Sequence, residues 1–240
     1  MEKFFDYFDE RYRKSVLSGP ASDDGPVITI SRLTGCDARE IASDVVDKMN
    51  LKKGSINWKW VDKDIIYSIA RELNIDTQRI ETYYHGFKLT DLSEMIMAFS
   101  GGFVSDLRVK KAIKDVVLSI CKEGNVVIVG RGGVSIAQGI KDALHVKLVA
   151  PLEWRTENVM RKKEMNQQTA MKYIKETDEK RNDLNRTFLD KKTKDLDSLF
   201  DVTLNREAFS VHDTADLIVS LYERKVAARM AERQRMKTVF

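Results

Sequence analysis

The chain has 240 residues, 42% of them hydrophobic, enough to bury one main core as a single large domain or a domain with a subdomain. Lys and Arg number 41 against 37 Asp and Glu, and this formal net charge of +4 suits a soluble protein without the basic excess that announces nucleic acid. Two distant cysteines, Cys36 and Cys121, with no CxxC and no Cys/His cluster, argue against a disulfide framework or a zinc site. No apolar run approaches the length of a membrane span, so the expected setting is the cytoplasm, with no membrane partner.

In chain order, residues 2 to about 17 place Phe4, Phe5, Phe8 and Tyr12 at helical spacing, and "SGPASDDGP" supplies the turn-formers of a linker. The spacing predicts an accessory helix within 1–25 whose aromatic stripe packs against the parent domain or a second subunit. "VITIS" is a short β-branched run of the kind found in buried parallel strands. "DAREIASDVVDKM" follows as a helix with Ile41, Val45 and Met49 along one face. "SINWKWVDKDIIYSIARELNI" predicts a strand ending near Val61 and a helix opening at Asp62 or Asp64. Residues 76–105, with "YYHGF" and "SGG", resist assignment; substrate-covering segments are often of this kind.

"RVKKAIKDVVLSICKEG" is an amphipathic helix closed by Gly124, and "NVVIVGRGG" a buried strand opening into a glycine turn. "ALHVKLVAP" gives a further strand ending at Pro151. From Glu153 to about Asp197 the chain reads as helical and densely charged. "LFDVTLN" supplies a last strand, "SVHDTADLIVSLYERKV" a last helix starting from a Ser cap, and 223–240 form a basic helical tail. Strands alternating with helices predict an α/β fold with a mostly parallel sheet covered on both faces.

Ligands of such sheets sit beyond the carboxyl ends of the strands, where the loops 31–40, 62–64 and 130–133 converge. Backbone N–H groups opening the first helix favour anions, Gly35 permits a tight turn, and Arg32 and Arg39 add cationic forks. An ordinary βα turn with two solvated arginines would carry the same residues. Arg131, between Gly130 and Gly132, either holds a phosphate bidentately or pairs with a neighbouring helix. Asp62 fits a helix cap, a ribose or base contact, or an outer-sphere magnesium ligand.

Arg155, Arg161, Lys162, Lys163, Arg181 and Arg186 are too many charges for a core. Most belong to an exposed helical face, with two or three expected to face ligand in the manner of an arginine-bearing lid for phosphoryl transfer. His85, His145 and His212 have no spaced partner for metal or triad work and read as structural or solvated. Cys36, at a helix N-terminus beside Arg39, is expected to have a lowered pKa and to react if exposed.

"ITISRLTGCDAREIA", "GNVVIVGRGG", "ALHVKLVAPLEWR" and "FDVTLN", in this order and spacing, resemble the cytidylate kinase-like proteins, a branch of the nucleoside monophosphate kinases. The resemblance covers roughly 26–222 and implies a three-layer P-loop kinase-like fold with a helical lid at about 153–197. It further implies ATP and magnesium as phosphoryl donor and a small nucleotide, typically CMP or dCMP, as acceptor. Gly35 matches the central glycine of the phosphate loop, Ser31 and Arg32 the residues that follow the strand in the classical kinase, and Ala38, Arg39 and Glu40 that kinase's lysine and the residues after it, a lysine that the cytidylate kinase-like branch already lacks. Arg131 matches the arginine of a Gly-Arg-Asp motif, and Arg155 and Arg161 open the lid helix.

By this mapping Arg39, Arg155, Arg161 and Arg181 are the candidate catalytic residues. Ser31, Arg32, Gly35, Arg39, Asp62, Gly130, Arg131 and Arg186 are the candidate nucleotide-binding set. No direct metal ligand is expected, although Glu40 can reach magnesium through water. The chain departs from the branch at Cys36, Asp37 and Ala38, which replace serine and two glycines, and at Gly132, which replaces the aspartate of Gly-Arg-Asp. Asp37 should repel phosphate unless it turns outward or caps the helix. A kinase-derived binding or scaffold protein without turnover is the alternative, and a module binding nucleic acid through the basic tail a more distant one.

Overall fold

The computed structural model describes residues 25–52, 57–62, 106–189 and 195–238. The expected N-terminal helix, the helix after Asp62, the 76–105 segment and His85 lie outside the described residues. Five strands, β1 (Val27–Arg32), β2 (Lys59–Val61), β3 (Val126–Val129), β4 (Ala143–Val149) and β5 (Val202–Asn205), form one parallel sheet in the order β2-β3-β1-β4-β5. The helices among the described residues are α1 (Ala38–Asn50), α2 (Asp106–Glu123), α3 (Gly133–Ile136), α4 (Leu152–Lys163), α5 (Gln167–Thr187) and α6 (Val211–Thr238).

Side chains alternate across a strand, so each apolar run feeds two layers at once. Ile28, Ile30, Val127, Val129, Val146 and Leu148 face Ile41 and Val45 of α1 and Ile218 of α6. Val27, Val126 and Ile128 face Ile113 and Val117 of α2 and Ile136 of α3 on the other side. The result is the expected three-layer α/β architecture, with the first strand running one residue beyond "VITIS" to Arg32.

The charged segment expected as one helical stretch is two helices. The chain breaks at Glu164, which takes a left-handed φ of 54°, and α5 restarts from Asn166, whose side chain accepts the Thr169 N–H at 2.9 Å. α6 begins from Ser210 as expected, its hydroxyl accepting the Asp213 N–H at 3.1 Å. It then runs unbroken through the basic stretch, where Lys225 pairs with Asp201 and Arg229 with Asp142, each at 2.6 Å. No described helix is long and apolar enough to cross a membrane.

His145 is structural. It lies buried in β4, its Nδ1 2.8 Å from the Thr29 hydroxyl, while its backbone N–H donates to Asp201 at 2.7 Å. Desolvation pushes its pKa down to about 4, against a smaller upward pull from Asp201. The imidazole is therefore neutral when folded, and as pH falls below the unfolded value of about 6.5 the unfolded state binds the extra proton. Stability should decline from that point down to about pH 4, by on the order of 3 kcal/mol. Urea midpoints measured between pH 7 and 4 should show this loss in the wild type and a flatter profile in His145→Gln.

Candidate functional site

The chain leaves β1 toward β2 on one side of the sheet and leaves β3 toward β4 on the other. Strand order thus reverses between β1 and β3, the position where open α/β sheets hold their ligands. The loops after these two strands meet directly. A Cβ placed on Gly130 would lie 2.0 Å from a guanidinium nitrogen of Arg32, so the glycine is what lets that arginine cross the sheet edge. On the other side of the crevice, Gly35 (φ 98°) lets the first loop press against the backbone of Arg155 in α4, where a Cβ would meet the carbonyl at 2.9 Å.

A cavity of ≈ 420 Å³ opens between this loop, the start of α1, and the pair α4 and α5. Its size is within the usual range for small-molecule sites. Arg32, Arg39, Lys162, Lys163 and Arg181 line it, five cationic side chains against the two carboxylates Asp37 and Glu40. The crowding tells at Arg32, whose pKa is pushed down to about 9 by desolvation and then by Arg181, Arg131 and Arg39, with Asp62 pulling it back. It remains charged at neutral pH, and an anion in the cavity would relieve the repulsion. Arg181 is also lowered, again chiefly by desolvation.

Two carboxylates organise the walls. Asp62, buried at the end of β2, accepts from Arg39 Nε at 2.7 Å and from Arg131 Nε at 3.2 Å, joining the three converging loops. Arg131 is thus in an ion pair at the carboxyl edge of the sheet, its partner the carboxylate that follows β2. Asp178 of α5 accepts the Thr34 backbone N–H and hydroxyl, each at 2.7 Å, and Arg155 Nη1 at 2.8 Å. Arg181, three residues on, donates to the Arg32 carbonyl at 3.1 Å and the Thr34 hydroxyl at 3.0 Å.

Of the candidate residues, Arg32, Gly35, Arg39 and Arg181 line the cavity, and Gly130, Arg131 and Asp62 adjoin it through the contacts above. Ser31 stays within β1. Arg155 lies buried beneath the loop, donating to the Ala150 and Thr34 carbonyls as well as to Asp178. Arg161 is exposed and donates to Asn158 at 2.7 Å, and Arg186 is exposed beside Asp183 at 3.6 Å. Among the described residues no cluster of His, Cys, Asp and Glu could hold a metal ion. Glu40 is an exposed carboxylate at the rim with one oxygen on Lys162, and magnesium that arrives on phosphates needs only one or two such oxygens, so the other fits water-mediated contact.

Sequence reasoning missed Thr34, Asn158, Asp178 and the position of Lys162. Residues 155, 158 and 162 fall on one helical face, and 178 and 181 on another, so helical spacing within the charged segment was the signal available. Cys36 corrects the expectation of a reactive thiol. It is fully buried against α1 and the sheet, and desolvation pushes its pKa up to about 12, overriding the lowering effect of Arg155.

A parallel sheet, a glycine-bearing loop opening onto a helix N-terminus, and an arginine-bearing helical pair over it define a P-loop kinase-like protein. The chain belongs to the cytidylate kinase-like family, which it matches over residues 27–208. It is 24% identical over 196 residues to the cytidylate kinase of Methanocaldococcus jannaschii, covering 81% of this chain and 96% of that one. A crystal structure from Eubacterium ventriosum, of an uncharacterized protein, superposes with a TM-score of 0.55 at 15% identity, covering 83% and 98% of the two chains. The shikimate kinase of Acinetobacter baumannii is similar at a TM-score of 0.46 and 12% identity, over 82% and 92%.

Removing Asp178 would leave the buried Arg155 charge without its carboxylate, a loss typically worth about 3–5 kcal/mol. Asp178→Ala should therefore lower the urea midpoint sharply, and Asp178→Asn, which keeps an acceptor for Thr34, less so. Iodoacetamide should label neither Cys36 nor Cys121 in the native protein, and both in urea, as mass spectrometry would read directly.

Proposed function

We propose that the protein transfers a phosphoryl group from ATP to a small nucleotide, of the CMP or dCMP type. The observation that carries the reading is the excess of cationic side chains on a cavity at the N-terminus of α1, where the helix amides add their own positive end. Phosphoryl transfer depends on positioning and on neutralising the oxygens of the transferred group, so the residues do electrostatic and not covalent work.

Arg32 and Arg181, tied to each other by the Arg181 bond to the Arg32 carbonyl, would neutralise the phosphates. Arg131, oriented by Asp62, is the candidate for the acceptor phosphate. Arg39 borders the cavity from the first turn of α1 and is oriented by the same carboxylate. Magnesium bound with ATP would supply further charge neutralisation, and Glu40 is the rim residue that would hold it through water.

The archaeal relative's name supports a cytidylate acceptor, while Gly132 argues for a changed base contact. A Cβ there would lie 2.8 Å from the Phe188 ring, so this ring occupies the space that a larger residue at 132 would need. A second reading, nucleotide binding without turnover, draws on Asp178, which holds the Thr34 N–H in the place of a ligand.

Purified protein with ATP and magnesium should form ADP in a manner dependent on one member of a panel of nucleoside monophosphates. Arg131→Ala and Arg181→Ala should each lower kcat/KM by about a hundred- to a thousandfold, the usual loss of one transition-state donor. Equal background turnover in the wild type and both variants would sink the enzyme reading in favour of the second.

A further inference from the structure

Ala38 occupies the loop position where the classical kinase carries a lysine and the cytidylate kinase-like branch a glycine, and its side chain is buried with the apolar face of α1. The other cations of the cavity are largely committed. Arg39 is held by Asp62, Arg181 donates to the Arg32 carbonyl and the Thr34 hydroxyl, and Lys163 lies over the Tyr173 ring, 4.8 Å from its centre. Lys162 differs. From α4 it spans the cavity to the first turn of α1, its Nζ 2.9 Å from Asp37 and 3.2 Å from Glu40.

Asp37 is the other half of the arrangement. It begins α1 in the left-handed region, φ 43° and ψ 49°, a conformation that aspartate tolerates better than most residues. The loop path open to a glycine is thereby kept. Its carboxylate makes no cap hydrogen bond to α1, being drawn instead onto Lys162. The amides of Ala38, Arg39 and Glu40, which helix geometry leaves without intrahelical acceptors, are thus not covered by the carboxylate nearest to them.

We propose that Lys162 supplies the phosphate loop with the cation that Ala38 lacks, and that Asp37 is the positioning residue that aims it. An ammonium carries three donors; Asp37 and Glu40 engage two, which leaves one for a phosphate oxygen beside the opening of α1. Desolvation lowers the Lys162 pKa, but the hydrogen bonds to and the charges of Asp37 and Glu40 together outweigh it and leave the pKa raised, so the charge is present throughout the neutral range. The negative residue at 37 then acts as a bracket for a lid-borne cation, which accounts for its presence beside an anion site. The cation reaches the ligand only while α4 rests on the loop.

The inference rests on the phosphotransferase reading, and one set of measurements separates the two. Calorimetric titration with inorganic tripolyphosphate tests the cation without any nucleotide or turnover. Lys162→Ala should weaken tripolyphosphate by about ten- to a hundredfold, the worth of one charge-assisted hydrogen bond, with Lys162→Arg losing much less. Lys172→Ala, an equal charge change on the exposed face of α5, should leave the affinity as it is. Asp37→Asn should weaken binding; strengthened binding would show that Asp37 acts only as a repelling charge and overturn its positioning role.

Unchanged affinity in Lys162→Ala, or no binding of tripolyphosphate by the wild type, would overturn the proposal. So would equal losses in Lys162→Ala and Lys162→Arg accompanied by a lowered urea midpoint, the signature of a structural tie. Absence of ADP formation by the wild type, with tripolyphosphate binding still dependent on Lys162, would sink the phosphotransferase reading alone.

Discussion

The site hangs on one carboxylate. Asp178 holds the loop after β1 by the Thr34 N–H and hydroxyl, and holds α4 through the buried Arg155. Without it the Thr34 N–H would lose its acceptor, and Arg155 would be a buried charge with only carbonyls for company. A carboxylate among arginines is also the natural way to keep a cation-rich cavity folded before any ligand arrives. Its weakness as a counter-charge is visible in Arg32 and Arg181, which stay depressed despite Asp62 and Asp178 nearby.

The two acidic residues that order the walls divide the work. Asp62 ties the sheet edge together by linking the end of β2 to α1 and to the loop after β3. Asp178 ties the covering helices to the loop. The cavity lies between these anchored groups, so the cations facing it are presented on supports fixed from two directions, which preorganised electrostatic catalysis requires. Arg131 reinforces this reading, since it adopts a left-handed φ of 59° that an arginine takes up only when its surroundings impose it.

Much of this was legible in the sequence. The runs "VITIS" and "NVVIVG" could be little other than buried parallel strands, and parallel topology alone brings the loops after them to one edge. The convergence of Arg32, Gly130, Arg131 and Asp62 follows from that. What stayed hidden depends on pairs more than a hundred positions apart, such as Thr34 with Asp178 and Glu40 with Lys162. A dense row of charges on a helix looks the same whether a given residue meets solvent, a loop carbonyl or a cavity. Arg155 shows the difficulty, because the close approach allowed by Gly35 takes it out of solvent altogether. Cys36 failed for a related reason: a helix N-terminus lowers a thiol pKa only if water or charge can reach it, and this one is enclosed by the sheet.

α6 has a mechanical consequence. Twenty-eight residues at the helical rise make a rod of about 42 Å, and its first half packs on the sheet while Met230 and Met236 stand exposed toward its far end. Between the two, Lys225 grips Asp201, whose same carboxylate oxygen accepts the His145 N–H in β4. The rod is therefore clamped to the start of the sheet through the strand next to β1, and Arg229 on Asp142 adds a second hold one turn further on, so its last turns project from a doubly anchored base.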